Sequence, residues 1–252
     1  MAHRLALSEK HFSRVGSIAA ISGLVIYQVF SMLHPRTPPY ETEAAFADYA
    51  AEPYWVVIHL GEMLGILLIG AAALALSWRL RRGRAGAWAT LGAAGAVAAV
   101  IIYGVYVAVD GVALRIMVDR WAAAGPDTRE LLFETAFAVR QIEAGLVGVI
   151  WLLFGVAGLL YGGAFFAGAG TPFGPGWPSG MGWLGVAAGG GAAATGVVQA
   201  HTGFSALSMT VAGIGVPLFA LWVLAVGVFL FREPEHDDEL DHDRRGRRPP
   251  KR

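Results

Sequence analysis

The sequence predicts an all-α integral membrane protein whose chain crosses the bilayer six times. Of its 252 residues, 56% are apolar and only 15% are charged, whereas a soluble domain carries about 25% charged residues. The apolar residues also gather in long runs, and a spanning helix needs roughly 20 mostly apolar residues. Runs of that length cover residues 15–33, 54–78, 85–109, 136–166, 181–200 and 207–231.

The predicted six-helix domain, residues 15–231, lies between a short N-terminus, 1–14, and a charged tail, 232–252. The first apolar run follows basic residues, as a signal peptide does. It is longer than a signal-peptide core, however, and no A-x-A cleavage pattern follows it, so we expect it to be retained. The tail is predicted to be disordered because it lacks apolar residues to bury.

The distribution of Lys and Arg predicts the orientation. Of the 19 basic residues, three precede the first segment, four lie between the second and third, and seven follow the sixth. A six-helix topology puts all of these on one side of the membrane. Because cytoplasmic connections are enriched in Lys and Arg, both termini are predicted to be cytoplasmic.

The connections on the opposite side are long. The first, 34–53, is acidic, and its residues 44–51 are predicted to form a short surface helix. The second, 110–135, is broken by Gly125 and Pro126, which predicts that the third and fourth helices extend beyond the membrane as an antiparallel hairpin. On the cytoplasmic side, 162–180 is predicted to be a turn-rich loop.

Composition excludes several functional classes. The absence of cysteine excludes disulfides, thiolate zinc sites, cysteine-ligated iron–sulfur clusters and a C-x-x-C-H haem attachment. A formal net charge of zero gives no indication of nucleic-acid binding. No serine or cysteine nucleophile lies beside a histidine in a recognisable pattern, so nothing favours a hydrolase. The lipid bilayer is the partner that the sequence predicts.

Ionisable residues inside the apolar segments are the candidate functional residues, because such groups are costly in hydrocarbon and usually face the bundle interior. In the predicted topology they share one level, in the outer half of the bundle. They are His34, His59, Glu62, Asp110, Arg140, Glu143 and His201. His59 and Glu62 are three residues apart and share a helix face, and so do Arg140 and Glu143.

Two interpretations need no organic cofactor. In one, Arg140 pairs with a buried carboxylate, and the resulting ion network fixes the packing of the helices. In the other, imidazole and carboxylate side chains bind a cation such as zinc, copper or iron. The candidate metal ligands are His34, His59, Glu62, Asp110, Glu143 and His201.

Two further interpretations give the chain an electron-transfer or a transport role. In the first, His59 and His201 hold a b-type haem between the second and fifth helices, and Arg140 meets a propionate. In the second, an outward cavity carries protons or a small solute, although no inverted repeat supports a transporter.

Several short stretches carry a family resemblance. They are His34-Pro35, Trp55-x-x-x-His59, Val-Asp-Gly-Val-Ala-Leu at 109–114, Val-Asp-Arg-Trp at 118–121 and Arg140-x-x-Glu143. In these the chain resembles uncharacterised multi-pass membrane proteins common in actinobacteria, loosely similar to the DUF4386 type. The resemblance spans most of the chain except the tail. It implies a bacterial plasma membrane and supplies no activity.

Overall fold

The computed structural model describes residues 2–168 and 177–232, and the described elements are all helical. They are α1 (Ala2–Ser31), α2 (Thr42–Ala51), α3 (Trp55–Arg79), α4 (Gly83–Val107), a π-helical segment (Ala108–Leu114), α5 (Arg115–Ala122), α6 (Pro126–Gly168), α7 (Trp177–Thr202) and α8 (Ala206–Phe231).

Within residues 2–168 and 177–232, six helical stretches are long and apolar enough to cross a membrane, which confirms that part of the sequence prediction. They are Lys10–Ser31, Trp55–Arg79, Gly83–Ala122, Pro126–Gly168, Ser179–Thr202 and Ala206–Phe231. The tail that the sequence predicts to be disordered lies outside the described residues, apart from its first residue, Arg232.

The helix ends differ from the apolar runs that predicted them. α1 ends at Ser31 rather than at 33. α6 begins at Pro126 rather than at 136, which agrees with the predicted extension of the fourth helix beyond its apolar run, up to the break at Gly125 and Pro126. The expected loop at 162–180 is shorter, because α6 continues to Gly168 and α7 begins at Trp177; residues 169–176 lie outside the described ranges. With 43 residues, α6 is about 65 Å long, roughly twice the thickness of the hydrocarbon core.

A small second core lies at the end of the bundle that carries α2 and α5, here called the α2 end. The short helix predicted at 44–51 is present as α2, and its Phe46 packs with Trp121 of α5 and Ala136 of α6. Arg115 donates hydrogen bonds to the carbonyls of Tyr49 and Ala50 in the last turn of α2. A cation there complements the helix dipole, so Arg115 fixes α2 against the bundle.

Close glycine contacts join α6 to α7. A Cβ on Gly155 would lie 2.4 Å from the backbone nitrogen of Ala193, and one on Gly158 would lie 2.9 Å from the Cα of Gly189. Small residues let membrane helices approach this closely. The glycine run at 189–191 is therefore helical and contributes directly to packing.

Candidate functional site

A cavity of about 400 Å³ is lined by residues of α1, α2, α3, α4, the π-helical segment, α6 and α8, and by residues of the connection after α1 and the turn before α8. Its wall is polar at the α2 end and apolar at the other. The polar lining includes His34, Glu62, Tyr103, Tyr106, Asp110, Arg140 and Glu143. His59 lies behind this wall, with its ring 4.7 Å from that of His34. The structure therefore brings together six of the seven predicted residues.

His201 is the exception. It lies near the C-terminal end of α7, is exposed, and its Nδ1 donates to the carbonyl of Val197 in the same helix. Gln199, two residues earlier, is buried. Residues two apart on a helix point in different directions, so α7 turns Gln199 inward and His201 outward.

The π-helical segment positions Asp110. This side chain is 2% exposed and lines the cavity. The next residue, Gly111, packs against α3, because a Cβ there would lie 2.8 Å from the Cβ of His59. Single π turns are frequent at functional sites. The sequence did not predict this segment; its only sign is a glycine after an acidic residue within an apolar run.

His59 and Asp110 form a buried pair. His59 Nε2 is 2.7 Å from Asp110 Oδ2, and His59 Nδ1 is 2.8 Å from the carbonyl oxygen of Trp55. Because a carbonyl only accepts, Nδ1 carries a proton, and a second proton lies between Nε2 and the carboxylate. The Tyr106 hydroxyl donates to the same Oδ2 at 2.7 Å. Asp110 Oδ1 is buried and has no hydrogen-bond partner among the described residues.

Glu62 and His34 face each other across the polar wall. Glu62 Oε2 accepts a hydrogen bond from the Tyr103 hydroxyl at 3.1 Å, and its Oε1 is 3.6 Å from His34 Nε2. That separation is too long for a good hydrogen bond. It is close to the roughly 3.4 Å expected between two tetrahedral ligands with metal–ligand bonds of about 2.1 Å.

Of the six candidate metal ligands, three lie close enough together to bind the same ion. His34, His59 and Glu62 each offer a ligand atom, and these atoms all lie within 4.8 Å of one another. Glu143 is instead paired with Arg140, and Asp110 holds His59. A cation at His59 Nε2 would have to replace the proton that Nε2 shares with Asp110.

Arg140 and Glu143 form the buried ion pair that the packing interpretation predicts, with 3.3 Å between NH1 and Oε2. The guanidinium also donates to the carbonyl of Pro39 at 3.0 Å and lies 4.5 Å from the centre of the Phe204 ring. Arg140 thus ties α6 to the connection before α2 and to the turn before α8.

The structure does not form the axial pair of the haem hypothesis. His201 is exposed at the surface of α7, whereas His59 is fully buried behind the cavity wall. Arg140, the expected propionate partner, is already paired with Glu143. The prediction of a shared haem site is therefore not supported by these side chains.

Comparisons of the chain with models of known families, with curated proteins and with solved structures find no match. The resemblance to the DUF4386 type stays a prediction, and the function has to be argued from the site.

Proposed function

We propose that this chain is a multi-pass protein of a bacterial plasma membrane that binds one divalent transition-metal ion, with zinc as the best fit. The cavity faces away from the cytoplasm and both termini are cytoplasmic; the Lys and Arg distribution supports this orientation. The observation that carries the metal proposal is the approach of ligand atoms of His34, His59 and Glu62 to within 4.8 Å of one another.

The donor set suits zinc. Two imidazoles and one carboxylate are a ligand combination of zinc sites that keep a fourth position open for water or substrate. The hydrogen bond from His59 Nδ1 to the carbonyl of Trp55 fixes the ring so that Nε2 is the ligating nitrogen, which is the usual support for a metal-bound histidine. His34 is the accessible ligand, with a quarter of its side chain exposed.

Metal binding in this site is coupled to proton release. His59 Nε2 can bind an ion only after the proton between it and Asp110 Oδ2 has left. Because ligands must be deprotonated before they coordinate a metal, affinity falls as the pH is lowered. Because Asp110 Oδ2 lies 2.7 Å from Nε2, the Asp110 carboxylate would have to move aside to admit the ion, and as a nearby anion it would offset the charge of the metal.

Zinc titration of the chelator-stripped protein in lipid nanodiscs tests the proposal. We expect one zinc ion per chain by calorimetry and elemental analysis, with affinity lowered at least about tenfold by His34→Ala and by Glu62→Gln. The matched controls are His201→Ala and Glu134→Gln, both exposed, and neither should change the affinity. A wild-type protein without stoichiometric zinc, or equal affinity in all four variants, contradicts the proposal.

The full-length double variant His236→Ala/His242→Ala separates this site from the tail, where both histidines lie among carboxylates. It should keep the single tight site. Calorimetry in two buffers with different ionisation enthalpies should show release of about one proton per zinc bound.

A further inference from the structure

We propose that the cavity holds a single-chain amphiphile, a molecule with one hydrocarbon chain and an oxygen-bearing head, whose head lies at the His34–Glu62 end. Contact of the head with a metal rests on the proposed function above. The hydrocarbon part is inferred from the cavity walls alone.

The cavity changes from charged to apolar along a single face of α6. Its lining residues there are Arg140, Glu143, Val147, Ile150, Trp151 and Phe154, which recur at the helical spacing of three and four. Among the described lining residues, the carboxylate, imidazole and guanidinium side chains lie toward the α2 end. The far end is lined by Ile69, Phe219 and Val223. One end therefore suits a polar head and the other suits hydrocarbon.

The cavity is elongated. On α6 its lining runs from Arg140 to Phe154, and on α8 it runs from Met209 to Val223. Each of these fifteen-residue stretches rises about 21 Å along its helix. A long, narrow space fits an extended chain better than a compact ring system.

A single-chain amphiphile would fill the apolar part of the cavity and pair with a polar atom at its other end. The cavity is partly open rather than sealed, so a chain can enter it, and its apolar part does not hold water well. A volume of about 400 Å³ lies within the range of ligand pockets, which are mostly apolar with a few polar groups. At the polar end, Asp110 Oδ1 is buried without a hydrogen-bond partner among the described residues, so it can accept from a hydroxyl of the head.

Fluorescence quenching by brominated linear carboxylic acids tests the proposal, because Trp151 lines the apolar part of the cavity. In nanodiscs of unbrominated lipid, a bound acid should quench the protein saturably, and Trp151→Phe should remove that saturable part. Quenching should peak at one bromine position along the chain. The proposal is overturned if neither the acids nor the matching brominated alcohols give saturable quenching, or if the quenching is unchanged in Trp151→Phe. The matching brominated alcohols, run in parallel, show whether the head must be a carboxyl group.

Chain length gives a second readout. Ala220 lines the cavity on α8, whereas its neighbour Leu221 is 52% exposed. Ala220→Phe should shorten the longest acid that binds by several carbons, and Leu221→Phe should leave the limit unchanged. If the longest acid that binds is the same in both variants, the hydrocarbon chain does not lie beside Ala220. If Ala220→Phe does not fold, the bromine-position profile of the wild-type protein decides the same point.

Parallel zinc measurements separate the two proposals. Saturable, position-dependent quenching in a protein that binds no zinc supports the hydrocarbon chain and contradicts the metal proposal. One zinc per chain without saturable quenching supports the metal and overturns the amphiphile. If both hold, removing zinc should weaken binding of the acid without changing the length limit.

Discussion

Replacing Arg140 with alanine should destabilise the protein strongly. Arg140 and Glu143 are 2% and 4% exposed, and their charged atoms lie 3.3 Å apart. The substitution removes the cation and leaves the carboxylate buried without its partner. It also removes the hydrogen bond to the carbonyl of Pro39.

The expected cost is about 3–5 kcal/mol of unfolding free energy, because breaking one side of a buried ion pair leaves an uncompensated charge. Removing both charges avoids that penalty. The double variant Arg140→Met/Glu143→Leu should therefore recover most of the loss, to within about 1–2 kcal/mol of the wild-type protein.

Reversible unfolding in mixed micelles, followed by circular dichroism, measures these differences. The matched control is Arg129→Ala, since Arg129 is exposed on the same helix and lies over the Trp121 ring at 4.5 Å; its loss should cost only about 0.5–1 kcal/mol. The reasoning is refuted if Arg140→Ala costs no more than this control, or if the double variant is as unstable as the single one.

Three further perturbations have defined outcomes. Gly155→Ala should lower the melting temperature because its Cβ would lie 2.4 Å from the backbone of α7, whereas Gly145→Ala places its Cβ in open space and should be tolerated. Equal melting temperatures would contradict the close packing of α6 on α7. Arg115→Ala should raise amide exchange in α2, and Arg120→Ala, exposed on the same helix, should not. Burial raises the pKa of Tyr49 from 10.0 to about 12, against the opposing charge of a nearby arginine. The folded protein therefore favours the neutral phenol of Tyr49. This contribution to the free energy of unfolding is complete below pH 10 and is lost as the pH rises through about 12. Thermal melts across this window should fall less steeply in Tyr49→Phe than in the wild-type protein, and parallel curves would refute the shift.

Hydropathy predicted the six candidate spans but not where the helices end. It marks apolar residues, and the first ten residues of α6, from Pro126, include charged side chains. They are helical next to α2 and α5, where Phe133 packs against the core formed around Phe46 and Trp121. That tertiary contact cannot be read from local composition.

Spacing predicted most of the site. His59 with Glu62, and Arg140 with Glu143, share helix faces by sequence alone, and the structure brings both pairs to the α2 end of the cavity or its wall. His201 lies near the same end of the bundle as the other candidates, but α7 turns it to the surface rather than toward the cavity. Hydropathy indicates the depth of a residue in the membrane and not the rotation of its helix. The partner of His59 was also unpredicted, since Asp110 lies in a π turn that no sequence period marks.

X-ray absorption spectroscopy of the zinc-loaded protein tests the central claim most directly, because it identifies the ligands as well as the metal. We predict a four-coordinate ion with two imidazole nitrogens, one carboxylate oxygen and one further oxygen, all at about 2.0–2.2 Å. His34→Ala should reduce the imidazole signal by half. A spectrum with oxygen ligands only, or an imidazole signal unchanged in His34→Ala, would contradict the site formed by His34, His59 and Glu62.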